Sequence, residues 1–368
     1  MLTKADDYPI HQLPVPIAYA GTDRNFYDRY FFNGYSKDGE VFFAAAMGIY
    51  PHLNIIDGSF CVVADGKQYN VHASRILGME RMDTVVGPIA VDVLEPLVKL
   101  RVRCADNQYG VKGEFTFTKR AAVVEEPRFI HQIGPRTTMD YTRLTQNGTY
   151  EGWLEVEGKR IEIRPDRFWG TRARSWGVRP VGAADSQPVA PPPAPQFYWL
   201  WGPTNFDDRI TLYHNNAEAS GEPWNEAGVM AMAGDAPPVH MKRVSSTVAF
   251  KSGTRHAKSC DVAFDDGKGG KWKLHYRPQW QFYMAGLGYL NPQWGHGHYK
   301  GENALGFELF DLAKENENAF DRLHVQAFSK VTLESEAGEK REGSGVLEQL
   351  VFGPHAPSGF KDLLDVAP

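Results

Sequence analysis

The chain has 368 residues, more than a typical single domain, so two domains or one unusually large β architecture are the starting expectation. Its 40 Lys+Arg against 45 Asp+Glu leave a net charge of −5, which offers no long-range attraction for nucleic acid or an anionic membrane and points to a small or neutral partner. Three cysteines, Cys61, Cys104 and Cys260, stand far apart with no CxxC spacing, so neither a disulfide framework nor a structural zinc site is indicated.

The opening MLTKADDYPIHQLPVP carries acids and prolines where a signal peptide needs an apolar run. No later stretch approaches the ~20 apolar residues of a membrane-spanning helix, and the reading is a soluble, cytoplasmic protein. Next comes YDRYFFNGYS, where strand alternation puts Asp28 and Tyr30 on one face and Arg29 and Phe31 on the other. An acid beside a phenol can hold and donate a proton; the plainer alternative is an ion pair between Asp28 and a nearby arginine. The stretch SFCVVADGKQYNVHA predicts a hairpin turning at Asp65-Gly66, and WLEVEGKRIEIRP a second one turning near Gly158. RVRCADNQYGVKGEFTFTKR reads as further strands between them.

RIEIRPDRFWGTRARSWGVRP sets six arginines around two Trp-Gly pairs. On a strand, Arg172, Arg174 and Trp176 face together with Ser175 opposite, an arrangement that can stack, bind oxygen functions or brace a pocket wall. These arginines lack a lysine-rich surround in a net acidic chain, so nucleic-acid binding is not expected. VGAADSQPVAPPPAPQ then has no apolar periodicity and five prolines, which fits a semi-rigid linker. The expected domains are residues 1–185, a linker at 186–196, and 197–368. The second half continues with a Gly-rich hairpin in CDVAFDDGKGGKWKLHYRP and strands in RLHVQAFSKVTLESEAGEKREG. Helical periodicity is scarce throughout, so the fold class is all-β.

Between those strands lies WGHGHYKGE. On a straight strand Trp294, His296, His298, Lys300 and Glu302 share one face. His-x-His followed by Glu resembles the metal-ligand run of cupins, but the later half of that pattern does not follow, and Lys300 would point at the metal. Without metal, the two histidines and Glu302 are a set of proton carriers beside Trp294 and Tyr289. No nucleophile elbow, P-loop or dinucleotide fingerprint occurs, which argues against a serine hydrolase, an NTPase and a nicotinamide enzyme.

Taken together, RYFFNGY, DRFWGTRARSWGVRP and GYLNPQWGHGHYKGE resemble the carotenoid 1,2-hydratase/AttH-like family over nearly the whole chain. The resemblance implies two consecutive lipocalin-like antiparallel β-barrels packed together, with a ligand pocket at or near their junction and no cofactor. Its Arg-Ser-Trp-Gly run falls on Arg174 to Gly177 and its Trp-Gly-His-Gly run on Trp294 to Gly297. The family tends to carry an acid near the first run, where this chain has Ala173. The expected function is a cofactor-independent lyase of hydratase or isomerase type on a hydrophobic isoprenoid or aromatic molecule. His296, His298, Glu302, Asp28 and Tyr30 are the catalytic candidates, and Arg172, Arg174, Trp176, Trp169, Tyr289 and Trp294 the substrate-binding ones. A non-catalytic carrier and a cupin-like metalloenzyme are the alternatives, and a homodimer is compatible with either.

Overall fold

The structure is a computed structural model and describes residues 1–11, 23–184 and 194–368; most of the expected linker at 186–196 lies outside the described residues. The protein is all-β, and among the described residues the only helical turns are short 3-10 segments. No helix there is long and apolar enough to cross a membrane.

Two compact units divide the chain: Met1–Pro191 with Ala285–Lys314, and Pro192–Met284 with Glu315–Pro368. Each is built on one large curled antiparallel sheet, lipocalin-like in form, of 14 strands in the first unit and 10 in the second among the described residues. The segment Ala285–Lys314 therefore belongs to the first unit and not to a barrel running through 197–368. Its strand Asn303–Asp311 pairs residue by residue with Lys67–Ile76 and satisfies a backbone edge that would otherwise stand open.

The anticipated hairpins form. Asp65 and Gly66 both have positive φ (50° and 74°), the combination of a two-residue turn whose twist matches its arms, and it sets Ser59 opposite His72. Glu157 and Gly158 repeat it at φ 50° and 75°. In the first unit Ile56, Phe60 and Val62 join Val71, Ala73, Tyr30, Phe32 and Phe43 in the core. The alternate residues on those strands, among them Asp57, Ser59, Asn70 and His72, necessarily face the other way. The second unit has its own core around Phe206, Phe264, Leu274, Tyr276 and Leu347.

Candidate functional site

The predicted residues fall on the two faces of one sheet. Strand Phe26–Ser36 pairs with Phe168–Val178 so that Asp28 meets Trp176, Tyr30 meets Arg174 and Phe32 meets Arg172. Asp28, Tyr30, Arg172, Arg174 and Trp176 thus share the core-side face, as alternation requires. They are covered by the chain's own N-terminal turn, Lys4–Asp7. Arg172 makes a fork-shaped ion pair with Asp7, both fully buried, and donates to Gln146 Oε1 at 3.0 and 2.8 Å. Arg174 Nη2 lies 2.6 Å from Asp28 and 2.8 Å from the Tyr8 carbonyl, with its guanidinium 3.9 Å over the Tyr30 ring. The other Asp28 oxygen meets His11 Nδ1 at 2.8 Å, and His11 stacks on Trp176 at 3.9 Å. Tyr30 donates its hydroxyl to the Asp7 carbonyl at 2.6 Å, and burial pushes that phenol up. Asp28 and Tyr30 are thus both engaged with the N-terminal residues Asp7 and His11.

On the opposite face the segment from Ala285 to Lys300 lies against strands Ile55–Ala64 and Lys67–Ile76 and leaves a small recess. Asp57, Ser59, His72, Trp294, His296, His298 and Lys300 are among its walls. It encloses about 10 Å³, the space of one water molecule. The Asp57 carboxyl accepts from the Gly297 N–H at 2.7 Å and the Tyr50 hydroxyl at 3.2 Å. Burial nevertheless wins: it raises Asp57 above the usual carboxylate range, although Arg29, those two donors and Arg179 pull the other way. Tyr50 is pushed well up by the same burial. Burial thus makes Asp57 hold its proton more readily than an ordinary aspartate.

Across the recess, His72 Nε2 lies 2.8 Å from Glu308 Oε2, and His72 Nδ1 lies 3.1 Å from Ser59 Oγ. Glu308 Oε2 also accepts the Asn291 amide at 2.7 Å, as a carboxylate should. The network places the ring proton on Nε2 and leaves Nδ1 to accept the Ser59 hydroxyl. Ser59, His72 and Glu308 so form a hydrogen-bonded chain, with Ser59 and His72 lining the recess. Trp294 stacks on His72 with centroids 5.4 Å apart and carries Lys300 5.1 Å over its own ring. Its place is cleared by Gly306, the cross-strand partner of His72, where a Cβ would come within 2.1 Å of the indole.

The WGHGHYKGE stretch is not a strand. It is a run of turns in which Gly297 and Gly301 take φ of 69° and 99°. Asn291 Oδ1 caps the turn before it by accepting the N–H groups of Gln293 and Trp294 at 2.8 and 2.7 Å. Alternation therefore fails here, because glycines at positive φ reverse the side-chain direction. His296 is buried and fixed: Arg179 donates to Nδ1 at 3.1 Å, and Nε2 donates to the Leu287 carbonyl at 2.9 Å. Tyr289 packs edge-on to it at 4.4 Å and lies beneath Arg29 at 4.9 Å. His298 is half-buried at the rim. Glu302 is exposed and does not line the recess, its carbonyl accepting from Ile76 at 3.1 Å. Trp169 stands elsewhere, between Lys37 and Arg120. His296 and His298 line the same recess while Glu302 does not, and among the described residues no group of three or more His, Cys, Asp or Glu is placed to hold a metal ion.

Sequence reasoning thus missed Asp57, Ser59, His72 and Glu308. The hairpin register was the available signal, since an Asp65-Gly66 turn pairs Ser59 with His72 across the sheet.

Over residues 2–361 the sequence matches the model of a family described as one of unknown function, DUF8625, and the chain belongs to that family. No curated protein matches the sequence. Among solved structures, one similar fold is an AttH-type protein of Nitrosomonas europaea, at 11% identity and a TM-score of 0.52, covering 90% of this chain and 95% of that one. Kievitone hydratase from Nectria haematococca aligns at 11% identity and a TM-score of 0.48, over 94% and 95%. The AttH-like resemblance in the sequence is therefore matched at the level of the fold.

Proposed function

For this member of DUF8625 we propose a hydratase-type lyase activity, the cofactor-independent addition of water to, or its removal from, a carbon–carbon double bond of a small hydrophobic isoprenoid or aromatic molecule. The observation that carries it is the pairing of a carboxyl raised by burial, Asp57, with the Ser59–His72–Glu308 relay on one water-sized recess.

In the addition direction, Asp57 gives its proton to one alkene carbon, and the neighbouring carbon becomes cationic. The alkene comes to the recess from the His298–Lys300 rim, and a water held in the recess attacks the cation; Ser59 takes the water's proton while passing its own to His72 Nδ1, Glu308 stabilises the imidazolium, and exchange with solvent then returns a proton to Asp57 and removes one from His72. Elimination runs these steps backwards. Removal of a proton from an adjacent carbon in place of water attack gives isomerisation with the same groups. Tyr50 and the Gly297 N–H orient the acid, and Arg179 and the Leu287 carbonyl fix His296 at the wall. His298 and Lys300 stand where a substrate would enter.

The test is incubation with a panel of isoprenoid and prenylated aromatic alkenes in ¹⁸O-water, followed by mass spectrometry. A product heavier by one labelled water molecule is expected. Asp57→Asn should lower turnover by about 10²–10⁴-fold, the usual range for a general acid, without lowering ligand affinity. Ligand binding with no conversion by the unaltered protein would instead identify a carrier.

A further inference from the structure

Arg29 carries a buried charge that the proposed chemistry does not use. Alternation turns it away from Asp28 and Tyr30, and register sets it opposite Gly48, which is itself opposite Asp57. The row across strands Phe26–Ser36, Phe42–Tyr50 and Ile55–Ala64 is therefore a cation, a bare glycine and an acid. Gly48 leaves room for the Tyr50 ring: a Cβ there would come within 2.2 Å of the Tyr50 hydroxyl, which donates to Asp57 Oδ1 at 3.2 Å. The covering segment fixes Arg29 from the other side. Arg29 Nη2 donates to the Leu287 carbonyl at 3.0 Å, the oxygen that also accepts from His296 Nε2 at 2.9 Å, and Leu287 and His296 line the recess together with Asp57. The guanidinium lies over the Tyr289 ring at 4.9 Å.

This cation is under-used where it stands. Arg29 is 3% exposed, and its Nε and Nη1 are buried with no hydrogen-bond partner among the described residues. A buried guanidinium is costly unless a negative charge answers it. Its ionisable neighbours are Arg179, a second cation, Tyr27 and Tyr50, phenols that burial pushes up, His296, engaged at both ring nitrogens, and Tyr289. Asp57 answers it in one of its two forms, being neutral while it holds its proton and negative once the proton has left. The charge of Arg29 is accordingly the largest pull opposing burial at that carboxyl. We propose that Arg29 is a positioning residue of the addition step, a fixed cation that stabilises the carboxylate Asp57 becomes on giving its proton to the alkene. In that step the proton passes to carbon and the O–H electron pair stays on Asp57. The attraction between Arg29 and Asp57 therefore grows towards the transition state, which speeds the reaction rather than tightening binding. The assignment rests on Asp57 as the acid.

The test follows two signals of the full chain through a pH titration by nuclear magnetic resonance, the Asp57 carboxyl carbon and the Arg29 Nε nitrogen. In the unaltered protein both should move with one midpoint, Arg29→Lys identifying the Nε signal by its loss. Arg29→Gln removes the charge from beside the carboxylate and should raise the Asp57 midpoint by about 1 unit or more, the low end of what a neighbouring opposite charge does. Arg29→Lys, which keeps the charge, should hold that midpoint nearer its native value. Turnover in Arg29→Gln should fall about 10²-fold with KM little changed, as when one fixed charge-stabilising donor is removed, and Arg29→Lys should restore part of it. An Arg29 Nε signal that ignores the Asp57 titration would overturn the assignment, and it decides even where Arg29→Gln fails to fold. A raised Asp57 midpoint that Arg29→Gln leaves in place would also overturn it, with Asp57 still the acid. An ordinary Asp57 midpoint in the unaltered protein would overturn the acid reading and this assignment with it, so the two failures are told apart.

Discussion

Gly306→Ala is the sharpest perturbation of the recess, because it touches no ionisable group and acts on one ring. The added Cβ would sit 2.1 Å from Trp294 Cζ2 and 2.4 Å from Cε2, whereas ordinary contacts begin near 3.4 Å. The indole must retreat by about 1.3 Å, against a backbone held by the Asn291 cap at 2.7 Å. Forced overpacking of this kind costs about 1–3 kcal/mol. The displaced ring leaves its stack on His72 at 5.4 Å, and a misplacement of that size near reacting atoms costs about 10²-fold in rate. Chemical unfolding of the full chain measures the first effect and turnover the second. A double-mutant cycle with Trp294→Ala isolates the cause, since the three atoms nearest the added methyl all belong to the indole. The cost of Gly306→Ala should then shrink by about 1 kcal/mol or more. An equal cost in both backgrounds would refute the reasoning, and strand propensity alone would explain the change.

Three further outcomes are expected. Asp7→Ala strands the fully buried Arg172 guanidinium and should cost about 3–5 kcal/mol, while Asp7→Leu combined with Arg172→Met should cost clearly less in the same unfolding measurement. Burial pushes the Cys104 and Cys260 thiols up to about 12 and Cys61 well above its usual value, so a disulfide reagent at pH 8 should find no reactive thiol in the native protein and three after denaturation. Burial lowers His355 from 6.5 to about 4, so the native state holds it neutral and its contribution to stability is present above pH 6.5 and lost as pH falls towards 4. His355→Gln should flatten the fall of the melting midpoint across that window.

Much of the fold was legible because strand alternation and two-residue turns are local. The Asp65-Gly66 and Glu157-Gly158 hairpins, the shared face of Asp28 with Tyr30, and that of Arg172 with Trp176 all follow from period two and positive φ. The same rule failed at WGHGHYKGE, where glycines at positive φ turn the chain and scatter side chains that a straight strand would align. Strand alternation aligns the arginines with Asp28, but nothing local shows that Asp7 and His11, far away in sequence, close over them. Asp57 escaped notice for a related reason. Its carboxyl is unremarkable in sequence and is raised only by burial under the segment that returns from Ala285 to Lys300, against the opposing hydrogen bonds of Tyr50 and Gly297. Glu308 reaches His72 only because Asn303–Asp311 returns from the second half to complete the first sheet.

The most direct measurement on the proposed site is the titration of the Asp57 carboxyl itself, followed by carbon-detected nuclear magnetic resonance of protein labelled at aspartate, with Asp57→Asn identifying the signal. Burial at the recess requires a midpoint above the ordinary aspartate value of about 3.9. It also requires that midpoint to fall when Ser59→Gly opens the wall to solvent. A midpoint at or below the ordinary value would mean that Asp57 is an ion pair partner of Arg29, and the acid–relay reading of the recess would be contradicted.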